Sequence, residues 1–209
     1  AINAIRETFR DEDHIRVHPI VTGTVGAVNV IPDHITMESY VRGSSFEAIV
    51  KANKKVNRAL TGAAYSIGTN IEIVDAPGYG PLRNDKQMMK VAEEAAKLVI
   101  PDYSFGSNNH IGSGSTDMGD LSAIMPVVHP YSAGAKGKGH GNDYEIVDPV
   151  AACVDCAKWQ VGMLMLLLKD GGELASKIAA EYDAPFKSKE EYLAYIDALN
   201  CEGDRIEYR

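Results

Sequence analysis

GSGSTDMGDLSAIMPVVHP, residues 112–130, is the stretch on which the reading of this chain turns. Glycines and hydroxyls alternate through Gly112, Ser113, Gly114, Ser115 and Thr116; Asp117 and Gly119 follow, and an apolar run leads to Pro126 and the turn His129-Pro130-Tyr131. Glycine lets backbone N–H groups turn toward a ligand without interference from a Cβ, and hydroxyls add further donors. The helical pattern over 118–124 would aim its positive end at the same place, which suits an anion. A plain surface loop has the same composition. No Gly-Lys-Ser/Thr closes the segment, so it is not a Walker loop.

The 209 residues carry 45% hydrophobic and 24% charged side chains, which suits one large or two small globular domains. A net charge of −8 argues against a nucleic-acid-binding surface. The apolar run 161–168 is too short to cross a bilayer, so no membrane partner is expected. Three cysteines, an odd number, fit a reducing cytoplasm better than a disulfide framework. Cys153 and Cys156 form a C-x-x-C inside an apolar-periodic stretch, where core packing is the expected role. The chain opens without a methionine in what reads as mid-helix, as a piece of a longer protein would.

Taken in order, residues 1–10 have helical spacing, with Ile2, Ile5 and Phe9 on one face. Residues 15–21 and 34–43 alternate as strands, separated by a loop containing Gly23, Gly26 and Pro32. Ser44 or Ser45 is a candidate N-cap for a helix with Phe46, Ile49, Val50, Val56 and Leu60 on one face. A short strand at 70–74 completes an α-β-β-α-β order, expected to form a small open sheet with both helices on one face. Asp75-Ala-Pro-Gly-Tyr-Gly-Pro81 is the best domain boundary. Beyond it come a helix over 85–99, a short strand near 103–105 and the opening stretch. A glycine-lysine loop over 133–142, a long buried helix over 150–168 and two amphipathic helices around Pro185 follow.

Single residues are ambiguous on spacing alone. His140 sits in the glycine loop, where a neutral imidazole could bind a metal or simply face solvent. Asn29 and Arg42 lie on successive strands; an amide can donate to an oxyanion and a guanidinium can hold a carboxylate. A turn asparagine and a surface arginine would read the same way.

Three segments together are more specific. Val28-Asn29-Val30-Ile31-Pro32-Asp33, Gly114-Ser115-Thr116-Asp117-Met118-Gly119-Asp120 and the loop histidine His140 resemble, in order and spacing, the zinc aminoacylase/carboxypeptidase family of metallopeptidases. The likeness is to its amidohydrolase branch, with aminobenzoyl-glutamate hydrolase and aminoacylase-like dipeptidases, and covers residues 1 to about 168. It implies an α/β fold in two parts. Residues 1–77 would be an α+β lid, or dimerisation, domain lacking its first strand, and 78–209 the returning half of an α/β zinc-peptidase catalytic domain. It further implies His140 as the last ligand of a two-metal centre, Zn²⁺ with Mn²⁺ or Co²⁺ as alternatives. Asn29 and Arg42 would reach the partner subunit's active site, for the oxyanion and the substrate carboxylate, and Gly114, Ser115 and Thr116 would meet the substrate's carboxylate end.

The substrate so implied is an N-acyl amino acid or a dipeptide, and the assembly a homodimer through the lid. The family's other metal ligands, its general-base glutamate and its lid histidine would precede Ala1, so these residues alone are expected to be inactive. Two other readings stand beside this one: a self-associating module that pairs through an edge strand, and an anion-binding protein built on 113–116, Lys136 and Lys138.

Overall fold

Ser45 begins the longest helix: its Oγ accepts the Ala48 N–H at 3.2 Å, an N-cap that satisfies one of the otherwise orphaned donors. The computed structural model describes residues 1–24, 26–100 and 115–206. The expected strand near 103–105, His110 and Gly112 to Gly114 lie outside them. The described residues combine helices with small antiparallel sheets, in keeping with the expected α/β class. They form two compact units, one of residues 1–24, 26–82, 115–119 and 190–206, the other of 83–100 and 120–189.

In the first unit, a short helix α1 (Ile2–Ile5) continues into a 3₁₀ turn, and β1 (Arg16–Thr24) pairs antiparallel with β2 (Ile35–Arg42). Arg16 lies opposite Arg42 and His18 opposite Tyr40, with a register shift between Val21 and Gly23. Helix α2 (Phe46–Ser66) buries Ala48, Ala52 and Val56, spaced by four as one helical face requires. Phe46 meets Tyr192 and Tyr195 edge-on at 6.0 and 5.9 Å, contacts made by α7 (Lys189–Asp197). From α2, Asn53 and Asn57 both donate to the Asp75 carboxylate, at 2.8 and 2.6 Å, at the end of β3 (Ile71–Asp75).

Among the described residues the expected single open sheet is not formed. β3 pairs with β6 (Cys201–Ile206), Ile71 opposite Ile206, while β1 and β2 make a separate two-stranded sheet. Strand β6 lies beyond the last expected helix, where the sequence reading places no element. Its Cys-Glu-Gly-Asp-Arg-Ile composition has too little apolar alternation to stand out.

The second unit is built on α3 (Lys86–Val99) and α5 (Cys156–Leu168), with α4 (Asp117–Ser122) entering it from the first. Asp85 caps α3, its Oδ1 accepting the Gln87 and Met88 N–H groups at 2.9 and 2.8 Å. Ala92, Ala95, Ala96 and Trp159 form its core, and the indole N–H of Trp159 donates to the Ala92 carbonyl at 2.6 Å. Gly162 faces α3, where a Cβ would lie 3.4 Å from that of Ala95, an ordinary packing contact. The β4–β5 pair (Ala135–Lys136 with Glu145–Ile146) closes the glycine-lysine loop, and α6 (Glu173–Glu181) follows α5.

Two features of the α5 region depart from the sequence reading. Residues Val150–Asp155 form a wide π turn ahead of the α-helix. The helix is also not buried as a whole: only Trp159 and Gly162 are, while Val161, Leu164, Met165 and Leu168 are more than half exposed. The two cysteines accordingly are not core residues; Cys153 is exposed and Cys156 half-buried. By length and composition the helical stretch Val150–Glu181 reaches what a membrane crossing needs, unlike the run 161–168 alone. It is interrupted at Asp170, Gly171 and Gly172, whose φ values of 54°, 74° and 81° are left-handed.

Candidate functional site

The segment that opens the sequence reading is held by backbone contact. Ser115 forms an isolated antiparallel bridge with Pro81, and Thr116 accepts the Met118 N–H on its Oγ1 at 3.1 Å. Asp117 Oδ1 accepts the same N–H at 2.9 Å. With its oxygen occupied as a cap, the Thr116 hydroxyl proton remains a donor toward an incoming acceptor. Gly119 is buried, and a Cβ added there would overlap the Gly80 carbonyl. The glycine at this position is therefore a packing requirement, not a source of loop flexibility. Gly114 lies outside the described residues.

Gly80 and Pro81 are the residues that sequence reasoning missed as part of this arrangement. The Pro-Gly-Tyr-Gly-Pro segment reads as a boundary, and the pair of glycines was the one available hint of a close backbone approach.

Asn29 and Arg42 are on the same hairpin as each other but in different settings. Asn29 is exposed in the turn connecting β1 and β2, where the Val30 N–H bonds the Ala27 carbonyl at 3.0 Å. Val28 and Ile31 on either side of it are almost fully exposed, so the tip is apolar as well as polar. Arg42, half-buried, ends β2 with its guanidinium 5.5 Å from the centre of the Tyr40 ring. Opposite it in register stands Arg16. Like charges facing each other across a strand pair are mildly destabilising by themselves, and an anion at that end of the hairpin would relieve them. Arg16 is a further candidate that the sequence reading did not single out, because only register brings it beside Arg42.

His140 belongs to the second unit, whereas Asn29, Arg42, Ser115 and Thr116 belong to the first. It is exposed at φ 63°, a left-handed conformation rare outside glycine, on a turn closed by the Gly141 N–H to the Lys138 carbonyl at 2.7 Å. The Lys138 N–H in turn bonds Asp143 Oδ1 at 3.3 Å, so the loop is fastened on both sides of the imidazole. Among the described residues no three His, Cys, Asp or Glu side chains group as a metal centre would require. One imidazole does not make such a centre, and the donors present do not by themselves fit a two-metal site. His129 is half-buried and stacks on Tyr131 at 5.5 Å; its backbone N–H donates to Asn84 Oδ1 at 2.9 Å. Its Nδ1 is buried without a partner among the described residues.

No family model matches the chain, and no solved structure matches it either. Two curated proteins do. The chain is 30% identical over 132 residues to the Xaa-Arg dipeptidase of Homo sapiens, an alignment covering 62% of this chain and 30% of the dipeptidase. To the Xaa-Arg dipeptidase of Mus musculus it is 28% identical over 118 residues, 56% of this chain and 27% of that protein. The chain thus spans less than a third of the length of these relatives, and over that span it is related to peptidases.

Proposed function

We propose that this chain is part of a metal-dependent amidohydrolase of the zinc aminoacylase/carboxypeptidase type, acting on the amide bond of a dipeptide or an N-acyl amino acid. The observation that carries the reading is the similarity to two Xaa-Arg dipeptidases, joined to a Gly-Ser-Thr-Asp-Met-Gly segment whose last glycine is locked against Gly80. On this reading Ser115 and Thr116, with Gly114, bind the substrate's carboxylate end, and Arg42 holds a carboxylate bidentately. Asn29 donates to the developing oxyanion. His140 contributes one imidazole to a divalent metal, Zn²⁺ in the first instance and Mn²⁺ or Co²⁺ as alternatives. The remaining ligands and the proton-shuttling glutamate would come from a segment outside these 209 residues. The 209 residues alone would then be inactive.

The test is hydrolysis of a panel of dipeptides and N-acyl amino acids by these 209 residues and by the full gene product, each metal-stripped and resupplied with Zn²⁺ or Mn²⁺. Activity confined to the longer protein, lost together with bound metal in His140→Ala, is the expected result. An active 209-residue chain, an inactive full product, or a His140→Ala variant with full activity and metal content would sink the proposal.

A second reading rests on the hairpin. Ile20, Val21 and Ile35 are exposed on a sheet that has two strands among the described residues, and exposed strand edges invite pairing with another copy. Dimerisation that depends on these residues and persists without metal would favour a self-associating module.

A further inference from the structure

The C-x-x-C of the sequence has no part in the site above, yet the structure removes the reason to regard it as core. Cys153 is exposed in the π turn and Cys156, half-buried, is the first residue of α5. The two cysteines stand three residues apart where the π turn passes into the α-helix, and the Cys156 N–H donates to the Cys153 carbonyl there. Residues three apart on a helix are neighbours on one face, so the two cysteines share one side of it. A regular α-helix holds i and i+3 Cβ atoms about 5–6 Å apart, too far for the roughly 3.8 Å that a disulfide needs. Closure therefore requires a local movement of the backbone at the junction between the π turn and α5. Gln160 donates to Cys156 Sγ at 3.5 Å, which fixes the inner thiol while the outer one meets solvent. The third cysteine, Cys201, belongs to the other unit, on β6.

We infer that Cys153 and Cys156 are a redox-active dithiol, closed to an intrachain disulfide by exchange with a low-molecular-weight disulfide such as glutathione disulfide. The exposed Cys153 thiolate attacks one sulfur of the small disulfide, forming a mixed disulfide and releasing one small thiolate, which takes up a proton. The Cys156 thiolate then attacks Cys153 Sγ and expels the second small thiol. The protein dithiol loses two electrons and two protons, and the small disulfide is reduced to two thiols. Excess small thiol reverses both steps.

The inference does not depend on the hydrolase reading, and its test needs no substrate. The full chain is equilibrated in glutathione buffers of graded redox ratio, quenched in acid, alkylated, digested and weighed. The expected result is a peptide containing Cys153 and Cys156 that has lost two hydrogens and both alkylation sites, reversibly, while Cys201 stays alkylated. Cys153→Ser and Cys156→Ser should each lose closure, the second leaving a stable glutathione adduct on Cys153. Trp159, the one tryptophan and one turn beyond Cys156, gives a second readout through its fluorescence. The inference fails if both thiols remain fully alkylatable, if each carries its own glutathione, if a disulfide forms with Cys201, or if closure occurs only in urea.

Discussion

Helices α2 and α5 carry their apolar residues in opposite patterns, one on a single face and the other nearly all round. α2 carries one apolar face, Ala48, Ala52 and Val56, with a capped start at Ser45 and an exposed Glu47–Lys51 ion pair on the outside. Each of these choices agrees with the others, and the helix has one buried side and one solvated side. α5 is apolar nearly all round, starts without a side-chain cap and buries only Trp159 and Gly162, against α3. Val161, Leu164, Met165 and Leu168 are left open, and with Val99, Cys153 and Val154 part of this surface lines an apolar groove. An amphipathic pattern states which side is covered; a uniformly apolar one states only that more than one side could be.

The contrast can be broken most forcefully at Trp159. Trp159→Ala removes the main side chain between α3 and α5 and the indole bond to Ala92, and should cost about 3–5 kcal/mol. Urea unfolding followed by circular dichroism measures this; a loss under about 1 kcal/mol would mean that the α3–α5 contact contributes little. Val56→Ala, on the covered face of α2, should cost roughly 2 kcal/mol. Next comes Ser45→Ala, which leaves the Ala48 N–H without its cap and should cost about 1 kcal/mol, with Ser45→Asp restoring most of it. Smallest is Met165→Gln on the open side of α5, expected within about 0.5 kcal/mol of the parent. Were Met165→Gln as costly as Val56→Ala, the exposed face would be covered in solution and the comparison would no longer hold. Trp159 fluorescence is the natural readout for that last variant.

Most elements were legible because their ends are marked by local chemistry. Ser45 and Asp85 cap α2 and α3, Pro32 falls in the loop between two alternating strands, and Gly171 and Gly172 stand where the helical stretch breaks. What could not be read is pairing. β3 finds its partner in β6, far along the chain, and nothing in Ile71-Glu-Ile-Val-Asp75 distinguishes that partner from β1 or β2. The coverage of α5 was equally hidden, since periodicity reports the apolar residues and not what lies over them. At the candidate site, the Thr116 cap follows from the local Thr-Asp-Met sequence, whereas the Gly80–Gly119 contact and the Arg16–Arg42 pairing need tertiary and cross-strand geometry.

At His140 the backbone sorts the possible replacements before any chemistry is tested. A left-handed φ suits glycine, is tolerated by asparagine and aspartate, and strains valine and isoleucine most. A saturation library scored for folding alone should rank the substitutions in that order, whatever the loop binds. The ranking by activity can then be divided by the ranking by abundance, and the quotient at this codon belongs to the imidazole.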